Sequence, residues 1–78
     1  MTEKPDRTED CIGLACPQPV LRTRVALGKM KAGEILEILA DDPGARKDIT
    51  SLVRRLDHTM LQLSEDEGIL RFLIQKND

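Results

Sequence analysis

Aromatic side chains are almost missing from this sequence: Phe72 stands alone, and there is no Trp or Tyr. Any core must therefore be built from Leu, Ile, Val and Met, and no Trp or Tyr is available to stack on a base or a sugar. Long apolar runs are missing as well. No window approaches the roughly 18 apolar residues of a membrane span, and residues 1–9 are polar and charged, unlike a secretory leader. A surplus of positive charge is also lacking. Lys and Arg number 12 against 14 Asp and Glu, a net charge of −2, whereas nucleic-acid binders as a class carry a basic face. We therefore expect no membrane and no direct nucleic-acid contact, and assign the chain to the cytoplasm. The only cysteines are Cys11 and Cys16; in a reducing compartment they are not expected to form a structural disulfide.

A chain of 78 residues makes at most one domain, and at that size only about 60% of the unfolded surface becomes buried. We expect a frayed tail over residues 1–7 and a single domain over 8–78. Residues 8–12 have weak strand character and end at Gly13, a bend. A first helix starts just after Cys16, with Pro17 and Pro19 in the only turn that tolerates proline. Val20, Leu21, Val25, Leu27 and Met30 supply its apolar positions, and Ala32-Gly33 its stop. Residues 35–40 are an apolar run suited to a covered strand. Residues 45–56 place Ile49, Leu52, Val53 and Leu56 at the i, i+3, i+4, i+7 spacing of a helix. Residues 60–63 and 69–75 read as a hairpin around the polar turn Glu65-Asp66-Glu67-Gly68. The order βαβαββ, with right-handed crossovers between parallel strands, predicts a two-layer α/β sandwich.

Charge is unevenly spread. Between Cys11 and Gly33 there is no acidic residue, while Arg22, Arg24, Lys29 and Lys31 are all basic. A cysteine at the head of a helix meets unpaired N–H groups and the positive end of the helix dipole, both of which favour a thiolate and lower the thiol pKa. With Cys16 as N-cap, only the N–H groups of Gln18 and Val20 remain to reach the sulfur, because Pro17 and Pro19 have none. With the helix starting at Pro19 instead, the Cys-Pro-Gln-Pro segment forms a stiff extended lead-in. Either geometry exposes Cys16, and the four basic side chains add a potential that favours an anionic sulfur and an acidic partner. The alternative is a small buried hydrophobe, as free cysteines commonly are.

The segment Gly13-Leu14-Ala15-Cys16-Pro17-Gln18-Pro19 resembles the Cys-Pro-x-Pro signature of the TusA-like (SirA-like) sulfur carriers. The resemblance extends from about residue 10 to 76 through Gly33-Glu34, Asp41-Asp42-Pro43, Asp48-Ile49 and Phe72-Leu73-Ile74-Gln75-Lys76. It implies a four-stranded mixed sheet in the order 1-2-4-3, with two helices on one face and the last strand antiparallel. It also implies that Cys16 carries a persulfide, with Gly13, Pro17 and Pro19 as positioning residues. The implied partners are a cysteine desulfurase or rhodanese-like donor and a downstream acceptor protein, serving tRNA thiolation, cofactor synthesis or sulfur oxidation. No cofactor or metal is implied, and the free carrier is expected to be a monomer. Many relatives have Trp where this chain has Leu52, and often Gly where it has Asp57.

The remaining reactive residue types have plainer readings. Cys11 is either a resolving thiol, since the short separation permits a disulfide, or a strand residue packed against a helix, which we favour. His58, the only histidine, is read as a helix-end residue rather than a base. Cys11, Cys16 and His58 offer at most three soft metal ligands. Asp41 and Asp42 are assigned to the turn and N-cap of the second helix, and Arg54 and Arg55 to its solvated edge. Besides a sulfur carrier, a thiol–disulfide redox protein and a non-catalytic regulatory module fit the pattern.

Overall fold

The computed structural model describes residues 4–77. Six elements follow one another: β1 (Arg7–Cys11), α1 (Gln18–Gly28), β2 (Ile35–Ala40), α2 (Ala45–Arg55), β3 (Thr59–Asp66) and β4 (Ile69–Gln75). The strands form one sheet in the order β1-β2-β4-β3. β1 runs parallel to β2, and β4 antiparallel to both β2 and β3. This is the two-layer βαβαββ sandwich that the sequence predicts.

Alternation in the strands decides which face is covered. Leu36, Ile38 and Ala40 of β2 and Leu70, Phe72 and Ile74 of β4 are buried, and they face Ala26, Leu27 and Met30 of the α1 side and Ala45, Ile49 and Val53 of α2 in one cluster. Each buried Leu, Ile, Val or Met contributes about 1.5–3 kcal/mol, which is how a chain with one Phe sustains a core. α2 follows its sequence pattern, with Ile49, Leu52 and Val53 buried and Leu56 half-buried. α1 departs from its pattern. Its buried residues are Pro19, Thr23, Ala26 and Leu27, while Leu21 and Val25, read as core from their spacing, are 48% and 56% exposed. Thr23 can occupy the buried face because its hydroxyl donates to the Pro19 carbonyl at 2.7 Å, leaving no polar atom unpaired.

Several boundaries also move. β1 takes in Arg7, assigned to the tail from sequence, and Asp6 before it exchanges hydrogen bonds with Ile35. Residues 1–3 of that tail lie outside the described residues. α1 ends at Gly28 rather than near Ala32-Gly33, because the Lys29 and Met30 N–H groups turn back to the Ala26 and Leu27 carbonyls. The hairpin turn shortens to Glu67-Gly68, both at positive φ, with Asp66 paired to Ile69. That is a two-residue turn whose twist matches the strands. No helix among the described residues is long and apolar enough to cross a membrane.

α2 ends in a Schellman motif: the His58 N–H donates to the Val53 carbonyl and the Asp57 N–H to that of Arg54. Asp57 sits at φ +60°, the left-handed conformation that glycine adopts without a steric penalty. Asp57→Gly should therefore raise the unfolding stability by about 0.5–1 kcal/mol, measured as a higher urea midpoint at unchanged m-value. An unchanged or lower midpoint would show that the aspartate side chain itself supports the turn.

Candidate functional site

Cys16 is reached through two successive turns. The Leu14 N–H donates to the Cys11 carbonyl at 3.1 Å, with Gly13 between them at φ +83°, a turn position that demands glycine. The Gly13 N–H is also held by the Asp41 carboxylate at 3.0 Å, which ties the loop after β1 to the loop after β2. Leu14 packs on the core. A second turn follows, in which the Cys16–Pro17 peptide is cis and the Gln18 N–H donates to the Ala15 carbonyl at 2.9 Å. Pro17 is the N-cap of α1, its carbonyl accepting from the Leu21 N–H, and Pro19 is buried beneath the first helical turn. The motif prolines therefore divide the work: Pro17 turns the chain into the helix and Pro19 anchors that helix to the core.

Cys16 itself is exposed. Its S–H donates to Asp48 Oδ2 at 3.5 Å, across 32 residues of sequence. Asp48 stands in the first turn of α2. This contact corrects the electrostatics inferred from sequence. The thiol pKa is raised, not lowered: chiefly by the hydrogen bond to Asp48, then by desolvation, then by the negative charges of Asp48 and Asp42. The expected activation by helix N–H groups fails because Cys16 is not the N-cap and the Gln18 N–H is engaged by Ala15. Neither the N-cap geometry nor the extended lead-in describes the segment; it is a closed turn.

The other residues weighed from sequence are placed as follows. Cys11 is fully buried at the end of β1, and burial pushes its thiol pKa up against the opposing charge of Arg22. Asp41 and Asp42 do not cap α2 with their side chains. Its N-cap is Gly44, and Asp42 contributes its backbone carbonyl to the Ala45 N–H. His58 accepts the Asn77 N–H on Nδ1 at 3.0 Å, and burial lowers its pKa. It lies after α2, beside the first residue of β3, whereas Cys16 lies before α1 near the last residues of β1 and β2, at the opposite end of the sheet. Among the described residues no group of His, Cys, Asp and Glu side chains is placed to hold a metal ion.

Of the basic residues, Arg22, Arg24 and Lys29 are exposed on or at the end of α1, and Lys31 lies beyond the helix, its N–H donating to Glu34. A groove between β1 and α1 is lined by Arg7, Glu9, Leu21, Arg22, Val25 and Lys29. The exposed Leu21 and Val25 thus share this groove with Arg22 and Lys29. Asp48 is the functional candidate that sequence reasoning missed; in the sequence it figured only in the Asp48-Ile49 pair of the family resemblance, and its place in the first turn of α2 gave no sign that it would meet Cys16.

Comparisons with known proteins bear on this arrangement. The family model "Sulfurtransferase TusA" matches residues 7–76. A "putative sulfur carrier protein" of Archaeoglobus fulgidus is 48% identical over 67 residues, covering 85% of this chain and 87% of the relative. The "putative sulfur carrier protein YrkI" of Bacillus subtilis is 41% identical over 73 residues, covering 94% and 97%. The crystal structure of the SirA-like protein from Desulfitobacterium hafniense superposes with a TM-score of 0.81 at 26% identity, over 92% of this chain and 99% of that one. With a Cys-Pro-x-Pro turn at the head of α1 and a match over nearly its whole length, the chain belongs to the TusA sulfurtransferase family.

Proposed function

We propose that Cys16 accepts a sulfane sulfur as a persulfide and relays it to an acceptor protein. The observation that supports this most is the exposed sulfur at the end of two fixed turns, on a small domain of the sulfurtransferase family. The donor is a cysteine desulfurase or a rhodanese-like protein. The acceptor serves tRNA thiolation, cofactor synthesis or sulfur oxidation. The reading places the carrier in the cytoplasm, where both thiols stay reduced, and has it act as a monomer between partners. Gly13, Pro17 and Pro19 position the cysteine, and the surface of Arg22, Arg24, Lys29 and Lys31 docks an acidic partner. A disulfide with Cys11 is a poorer reading, because Cys11 is fully buried and would have to leave the core to meet Cys16.

Incubation with a cysteine desulfurase and cysteine, followed by intact-mass measurement, should show the gain of one sulfur atom by the parent and none by Cys16→Ser, with the fold unchanged. Equal loading of both proteins would reject the reading.

Cys11→Ser should keep loading and transfer while lowering stability by about 1–3 kcal/mol, because a hydroxyl replaces an apolar sulfur in a closed core. Lost transfer at unchanged stability would instead make Cys11 a working thiol.

Transfer to a cognate acceptor should weaken as salt rises, since surface charges are screened beyond about 8 Å at physiological ionic strength. Reversing Arg22 and Lys29, which line one groove together with Leu21 and Val25, should slow association more than reversing Arg24 and Lys31, because Lys31 lies off the helix. Salt-independent rates with both pairs unaffected would leave these charges a solubilising role only.

A further inference from the structure

The surroundings of Cys16 disfavour the thiolate that carrier chemistry needs. Pro17 and Pro19 have no N–H, the Gln18 N–H is engaged by Ala15, and the Val20 N–H makes no hydrogen bond to the sulfur, which is bonded to Asp48 instead, so the head of α1 gives the sulfur little help. The charges bearing on it are acidic: Asp48 from α2, which accepts its proton in a hydrogen bond, and Asp42 from the loop between β2 and α2. On the α1 side the nearest helical residue in sequence is the uncharged Gln18, and the charge of Arg22 bears on Cys11 instead. An exposed nucleophile thus donates its proton in a hydrogen bond to a residue 32 positions away, which favours the neutral thiol over the thiolate.

We propose that Asp48 is a positioning residue that restrains Cys16 as a neutral, hydrogen-bonded thiol, and that the sulfur donor releases it by presenting a cationic side chain to Asp48 and Asp42. This rests on the carrier reading above. When the cation neutralises the carboxylates, Cys16 gives up its proton and its thiolate attacks the outer sulfur of the donor persulfide. The new sulfur–sulfur bond forms at Cys16 and the donor's sulfur–sulfur bond breaks. Its electron pair stays on the donor sulfur, which takes up through solvent the proton that Cys16 released. One thiol and one persulfide anion become one persulfide anion and one thiol, with no oxidant or reductant consumed. A hydropersulfide is a stronger acid than its parent thiol, so the loaded group is anionic and has no proton to donate to Asp48. Both carboxylates repel it, and the loaded side chain turns away from α2, where an acceptor thiol can reach its outer sulfur.

Two methanethiosulfonate reagents test this on the intact protein, one carrying a trimethylammonium group and the other a sulfonate. Each converts the Cys16 thiolate to a mixed disulfide with loss of methanesulfinate, and Cys11 is buried away from both. Relative to N-acetylcysteine, the parent should prefer the cationic reagent. Asp48→Asn should react severalfold faster with the anionic reagent and shift the pH–rate profile towards lower pH. Asp48→Glu should retain the parent profile, and Asp42→Asn, which removes a charge but no hydrogen bond to sulfur, should shift it less. A parent without charge preference, an Asp48→Asn profile that does not move, or an equal shift in Asp42→Asn would overturn the proposal. Desulfurase loading of the parent separates the two ideas: loading with no Asp48 effect rejects only the restraint, and an Asp48 effect without loading rejects the carrier reading.

Discussion

Everything at the cysteine depends on the parallel pairing of β1 with β2. Each of these strands feeds a helix that returns over the same face of the sheet, so both helices start above the same strand ends. The register that sets Cys11 beside Ala40 brings the two following loops side by side. Asp41, directly after β2, can then hold Gly13, shortly after β1, and the first turn of α2 can reach the cysteine that precedes α1. A slip of this register would turn the β1 side chains to the other face and part the loops. The antiparallel β2–β4 pair fixes the frame from the other side, since its buried residues carry both helices.

Elements that bury one whole face were legible in the sequence. α2 has a full apolar stripe, and β2 and β4 are nearly continuous apolar runs, so their spans agree closely with the reading. α1 was legible in existence but not in detail. Its buried face includes Thr23 and Pro19, which no hydrophobic pattern flags, while two apolar residues point outwards. Ala32-Gly33 resembled a stop signal, but the helix had already closed on the Ala26 and Leu27 carbonyls. The exposed cysteine was legible through its motif. Its electrostatics were not, because they depend on Asp48, whose approach is a product of the folded topology and leaves no trace in local spacing.

The acidic and basic groups around the motif are unevenly placed. Basic residues lie along the exposed side of α1, while Asp42 and Asp48, which bear on the cysteine, stand where β2 passes into α2, with Arg46 and Lys47 exposed in the same first turn. A partner that covers both regions must match charges of both signs, which constrains orientation more strongly than a uniform charge would. The exposed Leu21 and Val25 add apolar area within the basic region, so contact there need not rest on screened charges alone.

The complete enclosure of Cys11 also makes this thiol a reporter of how firmly the edge strand is held. Its side chain has no exposure and sits beside Ala40 of β2, within the same cluster as Phe72 and Ile38. Reagents meet it only when the end of β1 parts from the core, so its labelling rate, once Cys16 is blocked, tracks the free energy of that opening as protected amide exchange does. The two thiols of this chain thus differ in what governs them: one responds to the local field at the surface, the other to the docking of β1 on the core.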